Sequence, residues 1–404
     1  MSPTDWSLTA VFAVVYLGMF LGGLPRLKID RTGIALLGAI AALALTGEPL
    51  AQVAQAVDWP TLALLFAFMV VSAQMSLGGF YGAVTRRVAA HALGPRALLA
   101  ALIAVIAALS AVFSNDVVCL ALTPLVLRVA QQRLQEPLPW LVALACAANI
   151  GSAATLIGNP QNMLIGAVLN LDFGAYLQRA ALPVVLSLGL LWAWLALRLR
   201  EAPSEAKPLP MAPEPAFDAW QSTKGLAVAA ALLVAFLWTD WPREAVALVG
   251  AGVLLVSRRL HSREVMGFVD WPLLVLFIGL FIVNHAFART GLPEQAVAAL
   301  RGWGLSLHDG PTLVGVSVAL SNVVSNVPAV MLLLPHLGEA REAAGSLLAL
   351  VSTLAGNLLL VGSIANLIVA DGAERQGVAL TPWAHLKLAA PVALASLALA
   401  VALG

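Results

Sequence analysis

Four short clusters of small polar residues interrupt long apolar stretches of this 404-residue sequence. Three of them contain Gly or Pro, and an interrupted helix leaves free N–H groups that favour anions and free carbonyls that favour cations. The clusters therefore predict a binding site for a small ion or solute, although any single Ser or Asn could simply cap a helix. They are Ser114-Asn115-Asp116, Gly158-Asn159-Pro160-Gln161-Asn162, Ser325-Asn326-Val327-Pro328, and Gly362-Ser363 with Asn366.

The composition indicates the class of protein in which these clusters occur. Hydrophobic residues make up 61% and charged residues 11% of the chain, whereas soluble domains carry roughly 25% charged residues. We therefore predict an all-α polytopic membrane protein, embedded in the lipid bilayer. The net charge of +1 gives no indication of nucleic-acid binding. Cys119 and Cys146 lie in apolar runs without a disulfide or zinc pattern, so no cofactor is expected beyond Na⁺ or H⁺ as a coupling ion.

Asp116 is the one acidic residue of the four clusters. An ionisable group at membrane depth is energetically unfavourable and is by default a functional candidate. It could carry a proton, bind a cation or repel anions until it is neutralised, and we predict that it binds the coupling ion. The alternative is that Asp116 only caps a helix that starts at Val117. The clusters contain no Lys or Arg, so an anion would be bound by backbone dipoles and amides, with or without a bound cation.

The elements that carry the clusters follow from the length of the apolar stretches, since a helix needs about 20 residues to cross a bilayer. The stretches 97–128 and 308–338 are each interrupted halfway by a polar cluster and predict re-entrant helical hairpins. Two crossings, 138–169 and 345–370, are too long for one plain helix and predict broken helices. The ten predicted crossings are 8–24, 32–47, 61–77, 138–169, 181–197, 225–238, 245–256, 272–288, 345–370 and 384–403.

Lys and Arg are distributed unequally over the loops of this topology. With the N-terminus outside and both hairpins re-entrant, seventeen basic residues face the cytoplasm and five face outside, as the positive-inside rule expects. The first apolar stretch is interpreted as a retained helix rather than a signal peptide. We predict a multi-pass protein of the bacterial inner (plasma) membrane with a cytoplasmic central linker. The five outer basic residues are Arg179, Arg243, Arg289, Arg301 and Arg341.

The two halves of the sequence repeat the same polar landmarks in the same order. Each half would contain five crossings and one hairpin, and an odd number of crossings inverts the second half relative to the first. We predict a first repeat over 1–200, a Pro-rich linker over 201–224 and a second repeat over 225–404. The matching landmarks are Asp58-Trp59-Pro60 with Asp270-Trp271-Pro272, Gly79 with Gly291, Ser114-Asn115 with Ser325-Asn326, and Gly151 to Gly158 and Asn162 with Gly356 to Gly362 and Asn366.

Inverted repeats are typical of secondary transporters, in which two similar halves open alternately to either side of a site near the midplane. The alternative is a gene duplication without any role in transport. The repeated positions favour transport, because they are the polar helix breaks rather than the apolar scaffold.

These motifs resemble those of the ion transporter superfamily. The nearest branch is the arsenite permease and NhaD-type Na⁺/H⁺ antiporter group, which includes YbiR-type anion permeases and is similar to citrate transporters. The resemblance covers nearly the whole chain. The stretches that carry it are Ser-Asn-Asp-Val-Val-Cys-Leu-Ala-Leu-Thr-Pro (114–124), Leu-Ile-Gly-Asn-Pro-Gln-Asn (156–162), Ser-Asn-Val-Val-Ser-Asn-Val-Pro (321–328) and Gly-Asn-Leu-Leu-Leu-Val-Gly-Ser-Ile-Ala-Asn (356–366).

The resemblance implies an elevator-type transporter, usually a homodimer, with scaffold and transport domains. Dicarboxylate and citrate members carry Ser-Asn-Thr at both hairpin tips, whereas the third positions here are Asp116 and Val327. This difference favours the arsenite and NhaD-like side. Matched by motif, the first half-site would contain Ser114, Asn115, Gly158 and Asn162, and its counterpart would contain Ser325, Asn326, Gly362 and Asn366.

The predicted function is secondary active transport of a small anion, or of a neutral oxyacid such as arsenite, coupled to H⁺ or Na⁺. Asn159 and Ser363 complete the predicted site, and Na⁺ could bind at Ser114, Asn115 and Gly158. Alternatives of the same class are an arsenite efflux permease and a Na⁺/H⁺ antiporter. A passive ion channel and an intramembrane hydrolase using Ser317 are alternatives of other classes, and an enzyme is not expected.

Overall fold

The computed structural model describes residues 2–23, 27–200, 216–337 and 341–403. Within these ranges every regular element is a helix, which confirms the predicted all-α fold. The Pro-rich part of the predicted linker, 201–215, lies outside the described residues. The first helix after it begins at Ala219, so the last residues of the predicted 201–224 linker are helical.

The first half of the chain contains ten α-helices, and a short 3₁₀ turn over 54–56 follows the third. The two arms of the predicted first hairpin are α6 and α7, and the predicted broken helix is divided into α8 and α9. The helices are α1 (Pro3–Leu21), α2 (Arg31–Thr46), α3 (Leu50–Val53), α4 (Trp59–Leu77), α5 (Phe80–Ala89), α6 (Pro95–Val112), α7 (Asn115–Gln132), α8 (Pro137–Ser152), α9 (Pro160–Val168) and α10 (Phe173–Ala196).

The second half has the same order of elements, with 3₁₀ turns over 334–336 and 360–362. The arms of its hairpin are α16 and α17, and its broken helix is divided into α18 and α19. The helices are α11 (Ala219–Trp238), α12 (Arg243–Leu255), α13 (Ser262–Gly267), α14 (Trp271–Ala288), α15 (Leu292–Gly302), α16 (Gly310–Val324), α17 (Asn326–Leu333), α18 (Arg341–Ala355), α19 (Ile364–Glu374) and α20 (Pro382–Leu403).

Seven helices in the described part of the chain are long and apolar enough to cross a membrane alone. One of them is α6, the first arm of the predicted hairpin, so length and composition do not distinguish that arm from a crossing. The other predicted crossings use shorter or divided helices such as α2 and the α8–α9 pair. The ten crossings and the opposite membrane orientation of the two halves stay predictions. The seven are α1, α4, α6, α10, α11, α14 and α20.

The landmarks that repeat in the sequence have the same local structure in both halves. Asp58 and Asp270 are the N-caps of α4 and α14, and each carboxylate accepts the backbone N–H three residues later, at 2.8 and 2.9 Å. The Trp that follows each Asp donates its indole N–H to a carbonyl five residues earlier. Gly79 and Gly291 have φ of 66° and 69°, a conformation that glycine adopts without steric strain. Each precedes a short helix, α5 or α15, that is not among the predicted crossings because it is too short to span a bilayer.

Six helices form a group that we call the scaffold group: α1, α2, α4, α11, α12 and α14. In this group the third long helix of each half packs with the first two long helices of the other half. Helices α1 and α2 pack on α14, and α11 and α12 pack on α4. The two bundles meet where α14 contacts α4. The remaining long helices, α6–α10 and α16–α20, form a central group that contains both hairpins and both helix breaks, with α10 packed along α20.

The scaffold bundles are held by close backbone approach and a few polar contacts. A Cβ on Gly279 of α14 would lie 2.8 Å from the backbone carbon of Ala35 on α2. Tyr16 donates its hydroxyl to Asn284 Oδ1 at 2.8 Å in the same bundle. In the other bundle, Gln74 Nε2 of α4 donates to Gln221 Oε1 of α11 at 2.6 Å.

We expect Gly279→Ala to destabilise the protein by about 1–3 kcal/mol, because the new methyl group overlaps backbone that cannot move aside without separating α2 from α14. Gly252→Ala in α12 is the matched control. Nothing lies within 4 Å of its Cβ position, so this change should be neutral or stabilising by up to about 1 kcal/mol. Unfolding of both variants in detergent tests the packing, and equal midpoints would contradict it.

Candidate functional site

The first hairpin turns at Phe113 and Ser114, and α7 starts at Asn115. Ser114 holds the N-cap position but forms no capping hydrogen bond. Asp116 lies inside the first turn of α7, so the alternative that it caps a helix starting at Val117 is wrong. The backbone N–H of Asn115 donates to the carbonyl of Gly158 at 3.0 Å. The hairpin tip therefore meets the interruption between α8 and α9, in the middle of the predicted crossing.

The tip of the second hairpin is a single strained residue. Ser325 separates α16 from α17 and has φ 74° and ψ 161°, a region that only glycine usually occupies and that costs of order 1–3 kcal/mol for other residues. Its hydroxyl donates to Asn326 Oδ1 at 3.4 Å, and that oxygen also accepts the N–H of Val327 at 3.0 Å. Strained backbone of this kind clusters at functional sites.

The interruption between α8 and α9, which we call the first break (153–159), is closed by asparagines. Asn159 is the N-cap of α9, and its Oδ1 accepts the N–H of Asn162 at 2.9 Å. Asn162 Nδ2 donates to the carbonyl of Thr155 at 3.0 Å and to the hydroxyl of Tyr176 at 3.1 Å. A Cβ on Gly158 would lie 2.4 Å from the carbonyl oxygen of Ser152. The spacing of the asparagines in this motif thus lets their side chains form hydrogen bonds with backbone groups at the helix interruption.

The interruption between α18 and α19, the second break (356–363), has a similar construction. Asn366 Nδ2 donates to the carbonyls of Gly356 and Leu359, at 2.7 and 3.2 Å. Asn322 of α16 adds a second amide, since its Oδ1 accepts the N–H of Leu359 at 3.2 Å. A Cβ on Gly362 would lie 2.9 Å from Asn322 Oδ1, so a larger residue would displace this contact.

Asn149 of α8 connects the two halves and is fully buried. Its Oδ1 accepts from Asn115 Nδ2 and from Ser363 Oγ, both at 3.1 Å. Its Nδ2 donates to Asn357 Oδ1 at 2.8 Å and to Asn366 Oδ1 at 3.0 Å. One amide thereby binds the first hairpin tip to the second break. We call Asn149 with these four partners the asparagine hub.

The hub leaves two buried polar atoms without a hydrogen-bond partner among the described residues. They are the acceptor Asn115 Oδ1 and the donor Asn357 Nδ2. Leaving such groups unpaired is unfavourable by about 1–3 kcal/mol each. A solute that both donates and accepts hydrogen bonds would pair them.

The structure brings together only part of the predicted site. Asn115, Ser363 and Asn366 join the hub directly, and Gly158 joins it through the backbone of Asn115. Asn159 and Asn162 form a separate network with Thr353 of α18, which accepts from Asn159 Nδ2 at 3.3 Å and donates to Asn162 Oδ1 at 3.3 Å. The side chains of Ser114, Ser325 and Asn326 are buried but make no hydrogen bond to the hub in the described residues.

Asp116 is half-buried beside this neutral network. Among the described residues it has no hydrogen-bond or ion-pair partner. Nor does the described chain bring three His, Cys, Asp or Glu side chains together as a metal site. A bound cation would therefore be held by Asp116 and by neutral oxygens. Ser317, the residue of the hydrolase alternative, is fully buried, and its hydroxyl has no hydrogen-bond partner in the same ranges.

Four residues of these networks were not among the predicted site residues: Asn149, Thr353, Asn322 and Asn357. Asn322 and Asn357 lie within the motif stretches 321–328 and 356–366, whereas Asn149 and Thr353 lie outside the motif stretches in largely apolar helices. For Asn149 the available signal was proximity, because it precedes the repeat glycine Gly151 by two residues.

We expect Asn149→Ala to lower the free energy of unfolding by about 2 kcal/mol or more, because it leaves several buried polar groups unpaired at once. Asn284→Ala in the scaffold group is the matched control, since it removes a single hydrogen bond to Tyr16 and should cost about 1 kcal/mol. Chemical unfolding in detergent measures both. A smaller effect at Asn149 than at Asn284 would contradict the hub.

Comparison with protein families and relatives gives a consistent result. The model of the family described as citrate transporter matches residues 16–355. The chain is 30% identical to the silicon efflux transporter LSI3 of Oryza sativa subsp. japonica, over 98% of this chain and 96% of the relative. It is 31% identical to the inner membrane protein YbiR of Escherichia coli, over 78% and 79% of the two chains.

A solved structure shares the fold. The transporter YdaH of Alcanivorax borkumensis, whose topology is described as unusual, superposes with a TM-score of 0.54 over 99% of this chain and 96% of its own, at 16% identity. The resemblance inferred from the four motifs is confirmed. The chain belongs to the citrate transporter family of membrane transporters, within the ion transporter superfamily.

Proposed function

We propose that this transporter is a secondary active carrier of a small anion or oxyacid, driven by H⁺ or Na⁺. The observation that carries the proposal is the asparagine hub, in which one amide of the first half binds three residues of the second. A solute bound beside Asn149 contacts both halves, as alternating access about a central site requires.

The chemistry of the hub favours a small hydroxylated solute. Asn115 Oδ1 accepts a hydrogen bond from it and Asn357 Nδ2 donates one, and these atoms are otherwise unpaired in the described residues. Within the described ranges no Lys or Arg side chain bonds to the hub, so an anion would bind in a neutral protonated form or together with a cation. The names of similar proteins support this range, since they include the citrate transporter family, the silicon efflux transporter of Oryza sativa and a Dictyostelium discoideum transporter named arsB.

Asp116 supplies the coupling group, either as a proton carrier or as a Na⁺ ligand. In the second case Na⁺ binds near the first hairpin tip, with oxygens of Ser114, Asn115 and Gly158 as further ligands. Neutral oxygens of this kind suit a hard cation that must also be released. Asp116 has no hydrogen-bond or ion-pair partner in the part of the chain that the structure describes, and this supports the role, because the carboxylate is available to an ion.

Movement follows from the division into scaffold and central groups. The central group carries both hairpins and both breaks, and it meets the scaffold mainly through α4 with α7 and α9, α1 with α16, and α14 with α17. We propose that the central group moves as an elevator against the scaffold, and that the functional unit is a homodimer.

Flux through liposomes containing the purified protein tests the proposal. Arsenite, antimonite, silicic acid and citrate are offered under imposed pH or Na⁺ gradients. We expect saturable uptake of at least one solute, accelerated by the same solute on the opposite side. Linear flux without this acceleration would identify a passive channel, and Na⁺-driven H⁺ movement without solute would identify an antiporter. No flux under any gradient would contradict the proposal.

Asp116→Asn should abolish gradient-driven accumulation while it leaves exchange of the solute across the membrane intact. Coupling free energies of about 1–3 kcal/mol correspond to roughly 5–150-fold effects, so a loss of about tenfold or more is expected. The matched control is Asp58→Asn, because an asparagine can still cap α4. Full pH and Na⁺ dependence in Asp116→Asn would show that another residue binds the coupling ion.

A further inference from the structure

Two ring side chains occupy corresponding positions behind the two helix breaks. Tyr176 is the fourth residue of α10, and His385 is the fourth residue of α20. Tyr176 donates its hydroxyl to the carbonyl of Ala153 in the first break, at 2.7 Å. His385 Nε2 lies 3.0 Å from the carbonyl oxygen of Asn357 in the second break. Each ring therefore supports the break of its own half.

The two rings differ in how completely they are paired. The Tyr176 hydroxyl donates to Ala153 and accepts from Asn162 Nδ2, so both of its hydrogen-bonding functions are used. His385 is fully buried, and its Nδ1 has no hydrogen-bond partner in the described ranges. Because a carbonyl can only accept, Nε2 carries the hydrogen in this contact. The open position of the ring is a lone pair on Nδ1, where a proton can bind.

His385 has no counter-ion among the described side chains. Helix α20 packs against α8, α10, α16, α18 and the 3₁₀ turn at 360–362. Lys387, on α20 itself, lies over the ring of Trp383 at 5.0 Å from its centroid. None of the titratable groups of these elements forms a hydrogen bond or ion pair with His385. Among the described side chains these groups are Cys146, Tyr176, Arg179 and Glu342, and the side chain of Arg341 in α18 lies outside them.

A proton bound at Nδ1 would act directly on the hub. The ring already contacts the carbonyl of Asn357, and Asn357 Oδ1 accepts from Asn149. A buried Nδ1–H without an acceptor is unfavourable, and this energy falls if the second break moves and offers one. His385 also lies within the first turn of α20, at the start of the predicted crossing 384–403, so it lies near one end of a predicted membrane-spanning segment.

We propose that His385 is a proton-binding residue of the second break, and that its protonation changes the packing of Asn357 against the asparagine hub. The proton comes from water and returns to it, with no covalent step. The proposal extends the proposed transport function, in that the second half-site becomes sensitive to pH independently of Asp116. Tyr176 makes the corresponding contact in the first half without a titratable imidazole.

The test compares wild type with His385→Gln. The glutamine amide can still donate to the carbonyl of Asn357 but does not titrate between pH 5 and 8. The neutral ring is the form that fits the folded protein, so wild-type stability should be lost as pH falls below about 6.5, where an unfolded histidine becomes protonated. We expect the wild-type unfolding midpoint to fall by several degrees between pH 8 and 5. The midpoint of His385→Gln should lack this step, while the exposed-residue control His261→Gln should keep it.

The same proteins in liposomes give a second readout. A process that requires the protonated ring can change by up to about tenfold per pH unit between pH 8 and 5, and this part of the transport profile should disappear in His385→Gln. A stability step that vanishes in His385→Gln while the wild type transports nothing would support the proton site and reject the transport function. Unchanged pH dependence in both readouts would overturn the proposal.

A second variant covers the case in which His385→Gln does not fold. It retains His385 and replaces the other five histidines by Gln: His91, His261, His285, His308 and His336. The stability step must persist in this protein, and its loss would overturn the proposal.

Discussion

A single buried amide holds the candidate functional site of this protein together. Polar groups removed from water must form hydrogen bonds. Asn149 forms four, one to the tip of the first hairpin and three to residues at the second break. The rest of the central group is arranged around this requirement. Each broken helix exposes backbone groups, and side-chain amides such as those of Asn162 and Asn366 pair several of them.

The scaffold helices hold the two similar halves against each other. The third long helix of each half packs with helices of the other half, α14 with α1 and α2, and α4 with α11 and α12. The contact depends on small residues such as Gly279 that allow close backbone approach. This exchange keeps the halves together without large polar networks, and the hydrogen-bonding residues are concentrated at the breaks.

Much of the fold was predictable because its landmarks have local causes. Asp58 and Asp270 cap helices through their own chain neighbours, and the Gly-Asn-Pro sequence at 158–160 favours a helix interruption because Gly and Pro are unfavourable inside helices. Whether Asp116 caps a helix or lies inside it depends on where α7 begins, to within two residues. Because α7 begins at Asn115, the capping alternative is wrong. Asn149 and His385 were not predictable in the same way. A lone polar residue on an apolar helix has no local signal, and its role depends on which partners the fold places opposite to it.

We infer that Asn149 couples the two halves energetically. Asn115 and Asn366 make no hydrogen bond to each other, but both bond to Asn149. A double-mutant cycle of Asn115→Ala and Asn366→Ala, measured by unfolding in detergent, should give a coupling of about 0.5 kcal/mol or more. The same cycle in an Asn149→Ala background should give a coupling near zero. Additive effects of the two substitutions in the wild-type background would contradict the account.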